Sequence, residues 1–266
     1  MRRSGALFWG VILILIGGLL LLQTLGVLAV NVGLLIWPSL LILFGLWTLW
    51  GALGRRRGAD VEQLTIPLEG AHEARIRMNF GAGRLAVGVG ASPDEAVAGT
   101  FGGGVEFQAK REGQALTVEL RSPDMPFVIP WGWGTSFERD WQIRLNGGLP
   151  LALDLRTGAS ETRLDLTDLR VTELHVRTGA SATDLTLPAN AGLTRVDIEA
   201  GAASVVVRVP TGVAARLRLR GGAAAMRVDE RRFPRQGDVY QSADYDLAPN
   251  KVELTAKAGA GSFDVR

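Results

Sequence analysis

The chain has no cysteine and only two histidines among its 266 residues. The first absence excludes disulfides, thiolate metal sites and a cysteine nucleophile, and leaves the redox compartment open. The second leaves little for an imidazole metal site: His72 and His175 are far apart, and there is no HExxH. Gly-x-Ser-x-Gly is missing too. Gly81-Ala82-Gly83 and Gly102-Gly103-Gly104 are followed neither by Lys-Ser/Thr nor by a helical pattern. They lack the helix N-terminus that would hold a phosphate and read as turns. No catalytic residue, metal site or cofactor is expected.

Acids are absent from residues 1–57, which carry Arg2, Arg3, Arg55, Arg56 and Arg57. The remainder holds 24 basic and 27 acidic residues. The basic character of the whole therefore belongs to the N-terminal segment, and no nucleic-acid partner is expected. The charged fraction of 21% argues against wholesale disorder.

No charge interrupts Ala6 to Leu53. As one helix this stretch would be about 72 Å long, whereas a bilayer core is about 30 Å and needs ~20 residues. It must fold back once. Gly26 to Gly33, with Asn31, is the break, which predicts a transmembrane helical hairpin over 1–57 with spans near 6–25 and 34–53. Pro38 falls in the first turn or so of the second span, where a missing N–H costs least. Arginine clusters at both outer ends place both termini of the hairpin on the cytoplasmic side, with Trp9 and Trp50 at headgroup level. Neither span contains GxxxG, so that route to helix pairing is not specified. A signal peptide cleaved after Val27-Leu28-Ala29 is the competing reading. The apolar run exceeds an h-region and a second span follows at once.

Residues 58–63 read as a polar linker, and 64–266 as an all-β domain built on a repeat. The clearest copies begin Leu153-Asp154-Leu155-Arg156-Thr157-Gly158-Ala159-Ser160, and recur at Leu174, Val196 and Leu217 with offsets of 21, 22 and 21 residues. A second apolar pair keeps step: Leu164 and Leu166, Leu185 and Leu187, Val207 and Val209. Alternation of apolar and polar residues is a strand with one buried face. Gly-Ala-Ser gives a corner and Pro/Gly clusters give turns. Stacked copies bury what one copy cannot, through columns such as Leu153, Leu174, Val196, Leu217. The fold expected is a β-solenoid, single-stranded β-helix-like, with ~21–22-residue coils; a meander of antiparallel hairpins is the rival. The constant spacing suits the parallel stack.

Residues 93–149 look like an insertion. A hairpin is expected around Glu112-Gly113. Pro123 to Trp141, with Trp131 and Trp133, reads as a loop that either caps an open end of the stack or exposes aromatic side chains for binding. The C-terminus finishes inside a repeat, where a neighbouring chain could continue the stack or the strand could stay bare.

The most enzyme-like constellation is Asp154, His175 and Asp197. In a stack they align on one outer face, with the two carboxylates about 10 Å apart at two strand spacings, a separation suited to an inverting glycosidase. Outward positions of any solenoid are polar by necessity, however, and no aromatic platform adjoins them. With Trp131 and Trp133 they are candidate surface-contact residues.

Arg2-Arg3-Ser4-Gly5-Ala6-Leu7-Phe8-Trp9-Gly10, together with Ile36-Trp37-Pro38-Ser39-Leu40 and the apolar run to Trp47, resembles the membrane hairpin of LiaI/LiaF-type bacterial proteins. The Gly-Ala-Ser repeats resemble the toast-rack, adhesin-like β domain that commonly follows it. The resemblance implies a multi-pass protein of the bacterial inner membrane, linked to the response to cell-wall-active antibiotics. LiaF proteins hold back a membrane histidine kinase until the envelope is stressed. The partners implied are the lipid bilayer and a membrane sensor kinase or other membrane protein, with the β domain cytoplasmic. No residue-level site travels with the family. A structural, adhesin-like module outside the cell and a carbohydrate-acting enzyme are the alternatives; oligomeric state is left open.

Overall fold

The computed structural model describes residues 61–123 and 139–266. The expected membrane hairpin at 1–57 and the Trp131 and Trp133 loop lie outside the described residues.

Six long strands form the body: β2 (Glu73–Val89), β7 (Pro150–Asp165), β8 (Arg170–Thr186), β9 (Leu193–Arg208), β10 (Ala214–Val228) and β13 (Lys251–Val265). They pair in parallel, in the order β2-β7-β8-β9-β13-β10. Parallel pairing excludes the hairpin meander.

Each strand is one coil, bent at its Gly-Ala step. In β7, Leu151, Leu153, Leu155 and Thr157 are buried, Gly158 and Ala159 are both exposed, and Ser160, Thr162 and Leu164 are buried. Two exposed residues in a row shift the period-two phase by one. The same face therefore stays inside on both arms, and the two inner faces share one apolar core. The corner needs glycine because the coils touch there through backbone. A Cβ on Gly158 would lie 2.4 Å from the Gly81 carbonyl oxygen, and one on Gly201 3.0 Å from that of Gly179.

The inward columns run in register. Ile76, Leu153, Leu174, Val196, Leu254 and Leu217 are neighbours on the first arm, and all are buried. On the second arm the column is Val87, Leu164, Leu185, Val207, Val265, Val228. The expected columns are present, but their order differs in one place. The C-terminal strand β13 is inserted between β9 and β10, so Leu254 separates Val196 from Leu217. The end of the chain is thus an interior strand, and β10 is the outer coil. Charge accounts for this. β10 carries Arg216, Arg218, Arg220 and Arg227 and no acid, whereas Val252, Leu254, Ala256, Ala258, Phe263 and Val265 of β13 are all buried and apolar. The arginine-rich strand is better solvated at the edge.

The expected insertion at 93–149 is part of the sheet. β5 (Ala115–Arg121) pairs in parallel with the first arm of β2, and β6 (Asp140–Leu145) with the second. Arg121 lies beside Asn79, and Asp140 beside Arg84. Together the two strands make another coil whose corner is replaced by residues 122–139. Trp141, expected in the loop, instead points into the core against Phe80 and Phe101, with ring centroids 5.1 and 5.0 Å away. This end of the stack is closed by antiparallel strands. β4 (Glu106–Glu112) covers β5, making the expected hairpin at Glu112-Gly113. β3 (Glu95–Gly102) covers β6, and β1 (Val61–Pro67) covers β3. Val61 is already paired with Gly102, so the strand takes up the second half of the expected linker.

At the other end, residues 229–250 contribute buried Phe233, β11 (Arg235–Gln236) and β12 (Val239–Gln241). β12 pairs with β10 only at Arg216 and Leu217.

Candidate interaction surface

The outward residues of the first arm form columns as regular as the inward ones. Nearest the corner stand Asn79, Arg156, Arg177, Glu199, Lys257 and Arg220, one from each coil in turn. The next column is Arg77, Asp154, His175, Asp197, Thr255 and Arg218. Parallel pairing without register slip across these positions sets the neighbours about 4.8 Å apart. Opposite charges therefore meet across strands. Arg177 Nε lies 3.2 Å from Glu199 Oε2, and Lys257 Nζ lies 3.7 Å from Glu199 Oε1. His175 Nδ1 is 3.5 Å from Asp197 Oδ2. Such exposed pairs contribute about 0.2–1 kcal/mol each, so they set charge pattern more than stability.

Along the corner runs a shallow groove of about 790 Å³, floored by glycine and walled by Arg156, Arg177, Glu199, Lys257 and Arg220. Four cations face one acid. Lys257 enters this line between Glu199 and Arg220, out of sequence order, because β13 lies between β9 and β10.

Asp154, His175 and Asp197 do share one column, on β7, β8 and β9. His175 and Asp197 are exposed and Asp154 half-buried. Oδ1 of Asp154 is buried without a hydrogen bond, its nearest cation being Arg156 Nε of its own strand at 3.6 Å. Beyond Asp197 the column continues through Thr255 to Arg218, so that Asp197 and Arg218 are not neighbours. Beside this column lies a depression of about 250 Å³, lined by His175, Asp197, Glu199 and Lys257 among others. No group of three or more His, Asp or Glu side chains is placed to hold a metal ion among the described residues. Trp131 and Trp133 lie outside them.

The segment after β10 is fastened by a second cluster, which the sequence did not signal. Tyr245 donates from its hydroxyl to Glu253 Oε1 at 3.0 Å, and the Arg216 guanidinium lies 4.2 Å from the centre of its ring. Burial, then the bond to Glu253, pushes the phenol up to about 12. Arg232 donates to the carbonyls of Val209, Pro210 and Val213, and burial lowers its pKa from the ordinary guanidinium value.

Comparison with known proteins places this architecture. Residues 56–208 match the family model described as the N-terminal domain of toast_rack, DUF2154. Residues 7–49 match the LiaI-LiaF-like transmembrane region. No curated protein matches. Among solved structures, a "putative cell adhesion protein" from Clostridium sporogenes superposes with a TM-score of 0.71 at 22% identity, covering 77% of this chain and 98% of that one. At that identity the likeness establishes the fold alone. A "putative adhesin" from Bacteroides fragilis covers 78% of this chain and 97% of its own at 9% identity, but its TM-score of 0.26 carries no argument. The transmembrane match assigns the protein to a membrane. The chain belongs to the toast-rack N-terminal domain family, joined to a LiaI-LiaF-like transmembrane region.

Proposed function

We propose that the protein is a non-enzymatic regulator in the bacterial envelope-stress response, acting by protein contact through its stacked β domain. The observation that carries this reading is the ordered charged face: in-register columns ending in a cationic groove, joined to a LiaI-LiaF-like transmembrane region. In this reading residues 1–57 form a two-helix hairpin spanning the inner membrane at about 6–25 and 34–53, and the arginine clusters hold the β domain on the cytoplasmic side. The hairpin responds to the bilayer or to a membrane partner such as a sensor kinase. The β face transmits the change by docking or releasing that partner.

In-membrane crosslinking of the full chain, with and without a cell-wall-active antibiotic, tests it. The expected result is a membrane-protein adduct whose yield changes with treatment; no adduct in either state overturns the reading. A reporter fused at the C-terminus tests the side. Activity restricted to the periplasm would favour an adhesin-like module instead, a reading supported by the name of the Clostridium sporogenes structure. A glycan-acting role for Asp154 and Asp197 predicts activity lost in the Asp154→Asn, Asp197→Asn pair. The contact reading predicts no such activity in either protein.

A further inference from the structure

The sheet has several edges among the described residues, and they are not protected alike. β1 ends in Pro67, with a register irregularity between Ile66 and Pro67. β4 is exposed along its whole length and carries charges of both signs, Glu106, Lys110, Arg111 and Glu112. Short strands, proline, irregular pairing and mixed charge are the usual means of keeping an edge from recruiting another strand.

From Arg218 onward β10 has no proline and no acid, and its charges are of one sign. Its far side is paired with β12 only at Arg216 and Leu217, and Ser242 meets Ala215. From Arg218 to Val228 no described strand lies alongside. Alternate N–H and C=O groups of that edge face outward over a length of about 35 Å. The inward side chains there are apolar and half-buried: Leu219, Ala224, Met226 and Val228. Their register partners one strand in, Ala256, Phe263 and Val265 beside Leu219, Met226 and Val228, are fully buried. The core columns thus arrive at the edge uncovered.

The outward side chains define what fits. Arg218, Arg220 and Arg227 are exposed; Arg218 and Arg220 have no carboxylate partner among the described residues, and Arg227 stands beside Asp264, which pairs with Arg266. Arg218 stands beside Thr255, and Arg220 beside Lys257, a like charge. Every other long strand of the stack carries at least one acid. A second copy of β10 would bring arginine against arginine, which is destabilising across strands. An acidic strand would pair instead.

We propose that the Arg218–Val228 edge of β10 is a docking site for an extended acidic segment of a partner protein, which adds to the sheet as one more coil-like strand. Backbone pairing supplies affinity, and alternate side chains supply specificity. Apolar residues of the incoming segment cover Leu219, Met226 and Val228, while its carboxylates meet Arg218, Arg220 and Arg227. This deepens the contact reading given above and rests on it.

The test uses the full chain in detergent micelles and fluorescent peptides of about 11 residues, the length of the open edge. One alternates Glu with Val, a second alternates Lys with Val, and a third is the Glu peptide with a central Pro. The Glu peptide is expected to bind at least ~10-fold more tightly than either other peptide, and to slow amide exchange at Leu219–Val228. Combined Arg218→Glu, Arg220→Glu and Arg227→Glu changes should weaken it at least ~10-fold while leaving the thermal unfolding midpoint within a few degrees. Equal binding of the Pro peptide would reduce the effect to charge alone and overturn the proposal. So would equal binding of the Lys peptide, absence of binding, or self-association of the chain through this edge. If the crosslinked membrane adduct persists while the edge ignores the Glu peptide, this inference fails and the broader contact reading stands.

Discussion

β13 and β10 are neighbours of equal length, both built on the same repeat, and they lead opposite lives. β13 lies between two parallel partners, and Val252, Leu254, Ala256, Ala258, Phe263 and Val265 are all buried. β10 has one full partner, and beyond Leu217 none of its residues is fully buried. The repeat therefore specifies a coil that fits the stack without saying which slot it takes. Slot is decided by the residues that vary between copies: a large aromatic at Phe263 in one strand, four arginines in the other.

Substitutions at matched positions should expose that difference. Phe263→Ala should destabilise the domain by about 3–5 kcal/mol, because it empties a fully buried site. Its register partner Met226 is half-buried and edge-facing, so Met226→Ala should cost well under half as much; chemical denaturation of both variants measures the ratio. Equal costs would mean that β10 is covered by something outside the described residues.

The corner supplies the next contrast. Gly158→Ala forces a Cβ to 2.4 Å from a backbone oxygen that cannot swing away, and should cost about 1–3 kcal/mol or more. Gly192, with φ of 72° and nothing within 4 Å, pays only for its backbone conformation. Gly192→Ala should therefore cost about 1–2 kcal/mol. Thermal melts of the two variants check both the order and the size of the gap.

Smaller still is the charged face. Glu199→Gln removes the acid that Arg177 and Lys257 share, and should cost about 1 kcal/mol or less, fading as salt is raised. Stability should also fall in alkali through Tyr245. Its folded pKa of about 12 lies above the ordinary value of 10.0, so the folded state holds the phenolic proton more tightly. That contribution is complete below pH 10 and is lost as pH rises from 10 towards 12. Unfolding midpoints across this window should flatten in Tyr245→Phe.

Much of the fold was legible in the sequence. The offsets of 21 and 22 residues and the alternation in copies such as Leu153-Asp154-Leu155 yielded both the coil and the in-register column Asp154, His175, Asp197. Other features were not legible. The coil made by β5 and β6 has its Gly-Ala-Ser corner replaced by residues 122–139, which hides its kinship to the repeat and left Trp141 looking like part of a loop. The place of Lys257 between Glu199 and Arg220 was hidden because it comes from the far end of the chain. Neither the Tyr245 cluster nor the open β10 edge follows any repeat rule, since both depend on which strand ends up outermost.

Taken alone, then, the sequence determined the coil length, which side chains face inward on each arm, and the need for glycine at the corner. The first two follow from period-two geometry, a local property of the chain, and the third from the recurrence of glycine in every copy, where a neighbouring coil leaves no room for a Cβ. Only the tertiary structure decided the order of the coils, the burial of Trp141 and the location of the free edge. Parallel coils of one length are nearly interchangeable in backbone geometry, so their order rests on packing and solvation between residues far apart in the chain.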